Sequence, residues 1–100
     1  MAKPPQNQLV IPPDVHGDPE AAEVLRAWLA HGDLHCSLKP TIWEDAGHWG
    51  LLLADVARHV AHALQQKGQD PEEVLERIRD AFDTAMDDLS EAPDGGFQAE

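Results

Sequence analysis

The feature that most constrains the fold is a run of apolar residues at helical spacing, GHWGLLLADVARHVAHALQQKG, over residues 47–68. Its apolar residues recur every three or four positions, which places them on one face of an α-helix. They are Trp49, Leu52, Leu53, Val56, Val60, Ala63 and Leu64. The pattern predicts a helix over residues 45–67, ended by Gly68, whose apolar face is the centre of a hydrophobic core.

Residues 18–31 carry the start and stop signals of another helix. Asp18 is a typical N-cap residue, Pro19 fits the first helical position, and Gly32 ends the pattern. The apolar residues between these signals also recur at helical spacing. The sequence therefore predicts a helix that precedes the central one.

A third helix is predicted over residues 70–91. Asp70 is its N-cap, Pro71 takes the first position, and Glu73 completes the pattern of a capping box. One face of this helix is apolar and the other is acidic. The acidic face indicates a solvated surface, with a basic protein partner as the alternative.

Two short segments have the pattern of β-strands. Residues 34–38 alternate apolar and polar side chains until Pro40 stops the run, which is typical of a half-buried strand. Residues 9–11 are a brief apolar run in front of two prolines, as expected for an edge strand. With the helix over residues 18–31 between them, the two strands would form a β-α-β unit.

These segments predict an α+β fold, with three helices packed on a very small sheet of two short strands that is completed by dimerisation. A sheet of two strands is not stable alone, and pairing with a second copy would cover its open edge. The alternative is a monomeric three-helix bundle with a small ribbon. Residues 1–7 are expected to be a flexible N-terminus, residues 8–90 a single globular domain, and residues 91–100 a flexible acidic C-terminal tail.

Four blocks of the chain together resemble a family of small bacterial proteins classed as a domain of unknown function. The blocks are LVIPPDV, DPEAAEVLRAWLAHGDLHCSL, WEDAGHWGLLLADVARHVAHAL and EEVLERIRDAF, which span residues 9–82. HCSL and WGLLLADVARH are the fullest matches. The resemblance implies a fold and a bacterial source, but no reaction, ligand or functional residue.

The charge of the chain restricts its partners. It has 19 acidic and 7 basic side chains, for a net charge of -12, and such a charge repels phosphate backbones. No apolar run approaches the roughly 20 residues of a membrane span, and the N-terminal residues lack the apolar segment of a secretory signal. We therefore expect a cytoplasmic protein that binds neither nucleic acid nor membranes. The lone Cys36 agrees with a reducing compartment.

Asp55, His59 and His62 are the candidate metal ligands. Their spacing places them on one side of the central helix, and zinc binds imidazole and carboxylate in tetrahedral sets, with His48 or a second chain as fourth ligand. The simpler interpretation is a helix boundary in which Asp55 hydrogen-bonds to His59. The sequence favours this interpretation, because structural zinc sites usually take their ligands from separate chain segments.

No motif places a nucleophile beside a general base, so we assign no catalytic residue and no cofactor. His35 and Cys36 are neighbours in a predicted strand and point to opposite faces. Trp43, in the turn before the central helix, is the candidate residue for a partner interface. We expect a protein that is not an enzyme but a homodimeric interaction or regulatory module with an unknown protein partner. The alternative is a protein that binds a metal or small ligand through Asp55, His59 and His62.

Overall fold

The computed structural model describes residues 7–88 and 96–99. Its elements, in chain order, are a 3-10 turn (Pro13–Gly17), strands β1 (Leu25–Ala30) and β2 (Asp33–Leu38), helices α1 (Gly47–Gln65) and α2 (Pro71–Asp87), and strand β3 (Gly96–Ala99). The fold is α+β, as expected. The described part contains two helices and a three-stranded sheet, so the prediction of three helices on two short strands is wrong.

The segment expected to form the first helix belongs to a β-hairpin. β1 and β2 pair antiparallel, from Leu25 opposite Leu38 to Ala30 opposite Asp33. The turn between them is His31–Gly32, and both residues have positive φ, 55° and 81°. Two-residue turns with left-handed residues match the twist of the strands they join. Gly32 therefore makes a hairpin turn, a role that needs the same positive φ as the end of a helix.

The helix signal at Asp18 forms only a single turn. The Asp18 Oδ1 accepts a hydrogen bond of 2.9 Å from the backbone N–H of Glu20, and its carbonyl accepts one of 3.1 Å from Ala21. Beyond this turn the chain enters β1, because pairing with β2 satisfies the backbone of both strands. Residues 9–11 form no strand, and the predicted β-α-β unit is therefore also wrong.

The third strand lies within residues 91–100, which we expected to be a tail. β3 runs parallel to β2, with Cys36 opposite Phe97 and Leu38 opposite Ala99, so β2 is the central strand. A four-residue strand is too short to show an alternating pattern. The rest of the expected tail and residues 1–6 of the expected N-terminus lie outside the described residues, and these segment boundaries stay predictions.

The other two predicted helices are confirmed with shifted ends. α1 ends at Gln65 and is followed by Gly68 with a φ of 95°. At the start of α2, the Asp70 Oδ1 accepts a hydrogen bond of 3.1 Å from the backbone N–H of Glu72, and Pro71 is the first helical residue. The predicted end of this helix, over residues 89–91, lies outside the described residues.

Few side chains are buried within one chain. Among the described residues, Ala61 of α1 is 2% exposed and Val74 of α2 is 7% exposed, and these two alone count as buried. Val56 and Val60, which we expected in the core, are 48% and 40% exposed. The two helices contact each other and the strands contact one another, but no described strand packs on a helix. The predicted packing of helices on the sheet is therefore absent among residues 7–88 and 96–99 of one chain.

Candidate interaction surfaces

One face of the sheet is apolar, and at the end nearest the hairpin turn it is open to solvent. Residues directly opposite each other in a ladder share a face, so the register defines a set that we call the sheet face: Leu25, Ala27, Leu29, Leu34, Cys36 and Leu38. Leu29 is 83% exposed and Leu34 is 51% exposed. An amphipathic sheet normally packs its apolar face against another layer.

The opposite face of the sheet has a mixed character. It holds Arg26, Trp28, Ala30, Asp33, His35 and Ser37. Cys36 and His35 thus lie on opposite faces, as the alternating pattern predicted, and Cys36 is half-buried. The sheet is therefore amphipathic, and the sheet face is the side expected to pack against another layer.

A second open surface lies on α1. Leu52, Val56 and Val60 follow one another at intervals of four residues and form what we call the α1 stripe. Successive residues of a helix are about 100° apart, so the stripe lies on a different side of α1 from the buried Ala61. The side of α1 that contains Ala61 contributes to the packing of the two helices. Val56 and Val60 are 48% and 40% exposed and Leu52 is half-buried, so much of the α1 stripe stays open to solvent.

A groove of about 420 Å³ runs between α1 and α2. We call it the helix groove, and its lining is largely apolar: Gly50, Leu53, Ala54, Ala57, Arg58, Leu75, Ile78, Arg79 and Phe82. Within residues 7–88 and 96–99, neither Arg58 nor Arg79 forms an ion pair. The groove thus brings two uncompensated positive charges beside apolar side chains, in a chain whose net charge is -12.

Trp43 is part of an aromatic cluster at the start of α1. Its ring stacks on His48 with centroids 5.8 Å apart, and it meets Trp49 edge-on at 5.3 Å. The Trp49 Nε1 donates a hydrogen bond of 3.3 Å to the carbonyl of Pro40. These contacts tie the connection from β2 to the first turn of α1. Trp43 is half-buried, and its role in a partner interface stays a prediction.

The candidate metal ligands are exposed side chains of α1. Asp55, His59 and His62 all face solvent, and the His62 Nε2 lies 3.4 Å from the Nε2 of Gln66. In the described part of the chain, no group of three or more His, Cys, Asp and Glu side chains is arranged to hold a metal ion. His48, the suggested fourth ligand, stacks on Trp43. The metal site stays a prediction that added metal must test.

One exposed ion pair stands at the start of β1. The Arg26 Nε and Nη2 donate hydrogen bonds to the two carboxylate oxygens of Glu23, at 2.6 and 2.8 Å. These hydrogen bonds hold the pKa of Glu23 below its ordinary value, and the same pair raises the pKa of Arg26. Both groups are open to solvent, so the pair fixes local geometry more than it stabilises the fold.

The fold and its surfaces define a small α+β protein built of two amphipathic layers, a sheet and a helix pair, whose apolar faces lie open. The chain belongs to the family called Domain of unknown function (DUF5076), whose model matches residues 8–89. This confirms the resemblance to a domain of unknown function. None of the helices in the described ranges is long and apolar enough to cross a membrane.

A solved structure also resembles the chain along nearly its whole length. It is that of "a putative pyruvate dehydrogenase" from the photosynthetic bacterium Rhodopseudomonas palustrus CGA009. The two chains are 35% identical, the match covers 95% of this chain and 96% of the other, and the TM-score is 0.71. No curated protein matches the chain significantly.

Proposed function

We propose that this chain is a non-catalytic protein-interaction module and that its helix groove binds a segment of a partner protein. The observation that supports this function is the apolar lining of the groove, which is open to solvent at residues such as Phe82, 47% exposed. Contiguous apolar surface of this kind marks binding sites on soluble proteins, since exposing it to water is unfavourable.

The two arginines of the groove indicate the chemistry of the partner. Arg58 and Arg79 present guanidinium groups beside Leu75 and Phe82. A guanidinium pairs best with a carboxylate, in a two-bond geometry that also fixes orientation. The fitting partner is an amphipathic segment, such as a helix, whose apolar side chains enter the groove and whose carboxylates meet the arginines.

A second candidate ligand is a small carboxylate. The same two arginines favour it, and the name of the Rhodopseudomonas palustrus relative refers to the dehydrogenation of pyruvate, a small carboxylate. The volume of about 420 Å³ lies in the range of small-molecule sites. Pyruvate is therefore the first small molecule to titrate against the chain.

The function is tested by comparing groove variants with a matched surface variant. Phe82→Ser and Arg79→Glu alter the groove, whereas Leu51→Ser alters a 66% exposed leucine of α1 outside its lining. Cross-linking in cells that express each chain should identify a protein retained by wild type and Leu51→Ser and lost by both groove variants. With that protein purified, calorimetry should show at least a tenfold weaker Kd for the groove variants, about 1.4 kcal/mol.

Two results would contradict the interaction module. One is a set of cross-linked proteins that is the same for the wild type and for both groove variants. The other is oxidation or decarboxylation of pyruvate by the purified chain. Chemical-shift changes at groove residues on addition of pyruvate, without turnover, would support the second candidate.

A further inference from the structure

We propose that the sheet face of one chain is covered by the α1 stripe of a second copy, and reciprocally, so that the folded unit is a two-fold dimer with exchanged layers. A two-fold arrangement presents the same pair of surfaces on both subunits, so every sheet face receives one stripe. The helix groove takes no part in this contact. The dimer proposal can therefore be tested separately from the proposal that the helix groove binds a partner.

The solvent-exposed area of the chain is larger than expected for a compact monomer, which favours a subunit of a dimer. The chain exposes 9162 Å². A compact monomer of 11.0 kDa exposes about 5,600 Å², so the excess is about 3,500 Å². Obligate dimers bury about 2,000–5,000 Å² in total, counted over both chains. If each chain buried half of its excess area, the total for two chains would fall within this range. The radius of gyration, 15.8 Å, also exceeds the roughly 13 Å of a compact chain of this length.

The connection between β2 and α1 keeps the stripe of a chain away from its own sheet face. Trp49 is hydrogen-bonded to the carbonyl of Pro40, and Trp43 lies against both His48 and Trp49. These contacts fix the course of the connection, which carries α1 away from the strands of the same chain. A second copy reaches the sheet face with the connection unchanged.

The chemistry of the two surfaces fits one copy to another. The sheet face and the α1 stripe contain no charged side chain, so two chains of net charge -12 can approach there while their carboxylates stay in water. A two-layer α/β unit consists of one helix layer on one sheet. Each copy supplies one helix layer and one sheet, and in the exchanged dimer each sheet face is covered by the α1 stripe of the other copy. We therefore assign the cover to a second copy in preference to an unrelated protein.

Paired leucine variants test the dimer. Leu29→Asp puts a charge into the proposed contact, whereas Leu51→Asp puts one on an exposed leucine of α1 away from the stripe. Sedimentation at micromolar concentration should give twice the 11.0 kDa chain mass for the wild type and for Leu51→Asp. Leu29→Asp should sediment at the chain mass. A wild type at the chain mass, or a Leu29→Asp variant that stays dimeric, overturns the proposal.

A disulfide test covers the case in which Leu29→Asp fails to fold. Cys36 lies on the sheet face and is the one cysteine of the chain. In the Val56→Cys and Val60→Cys variants, mild oxidation should link Cys36 of one chain to the introduced thiol of the other, because no described strand contacts a helix of its own chain. Peptide mapping identifies the link, and Leu51→Cys is the control. Absence of this link from both stripe variants overturns the exchanged arrangement.

Discussion

Leu29 and Leu34 lie directly opposite each other across the β1–β2 hairpin, and more than half of the surface of each residue is exposed. Such a pair makes cross-strand contacts, which stabilise a hairpin only modestly. At 83% and 51% exposure, Leu29 and Leu34 still leave at least half of their surface in contact with solvent. The hairpin therefore presents an apolar surface that the described strands of the same chain leave open to solvent.

The hairpin turn depends on the backbone of Gly32. Its φ is 81°, and an added Cβ would meet no atom within 4 Å, so Gly32→Ala tests backbone strain alone. We expect Gly32→Ala to lower the free energy of unfolding by about 1–2 kcal/mol. Gly17→Ala is the matched control, since it also has open space and lacks a positive φ. Equal effects of the two substitutions in urea denaturation would show that the turn is not formed as described.

The N-cap of α2 makes a measurable contribution to stability. The Asp70 side chain satisfies the backbone N–H of Glu72, which has no partner within the helix. Asp70→Ala should cost about 1 kcal/mol, while Asp70→Ser should retain most of the stability. Asp80→Ala, an exposed position within α2, serves as the control. A thermal midpoint that responds equally to Asp70→Ala and Asp80→Ala would contradict the cap.

The Glu23–Arg26 pair predicts a specific titration. Because Arg26 lowers the pKa of Glu23, the pair stabilises the folded state above the unfolded pKa of Glu23 and is lost as pH falls through the lower folded pKa. The carboxyl resonance of Glu23 should titrate below 4.5, and Arg26→Gln should move it back towards that value. Arg58→Gln should leave it unchanged. A Glu23 titration that does not respond to Arg26→Gln refutes the pair in solution.

The metal hypothesis has a simple outcome. Asp55, His59 and His62 are exposed, so we expect added zinc to leave the wild-type melting midpoint unchanged and His59→Ala to cost well under about 1.5 kcal/mol. A zinc-dependent rise of the midpoint at pH 7.5 that any one of the three substitutions abolishes would establish a metal site instead.

The sequence was sufficient for the two long helices because their signals are redundant. α1 has an apolar pattern over many turns, and α2 combines such a pattern with the capping side chain of Asp70. The helix prediction for residues 18–31 was wrong because the apolar residues of this segment fit both the helical period of about 3.6 and the strand period of 2. Leu25 and Leu29 are four residues apart, as on a helix, and with Ala27 they also alternate, as in a strand. Pairing with β2, a tertiary interaction, decides between the two.

The candidate surfaces were only partly visible in the sequence. The helix groove combines residues of two helices, such as Arg58 and Phe82, whose proximity depends on how α1 packs against α2. The sheet face needs the register of the hairpin, which the helix assignment over residues 18–31 hid. By contrast, the α1 stripe was read correctly as apolar, but Val56 and Val60 proved to be open in a single chain.

The dependence of unfolding on protein concentration tests most directly whether the fold is completed by a second copy. When the folded unit is a dimer and the unfolded chain is a monomer, a hundredfold rise in concentration stabilises it by about 2.7 kcal/mol. We predict that the urea midpoint of the wild type rises clearly between about 1 and 100 µM chain. A midpoint that stays the same over this range would contradict the dimer and show that a single chain is the folded unit.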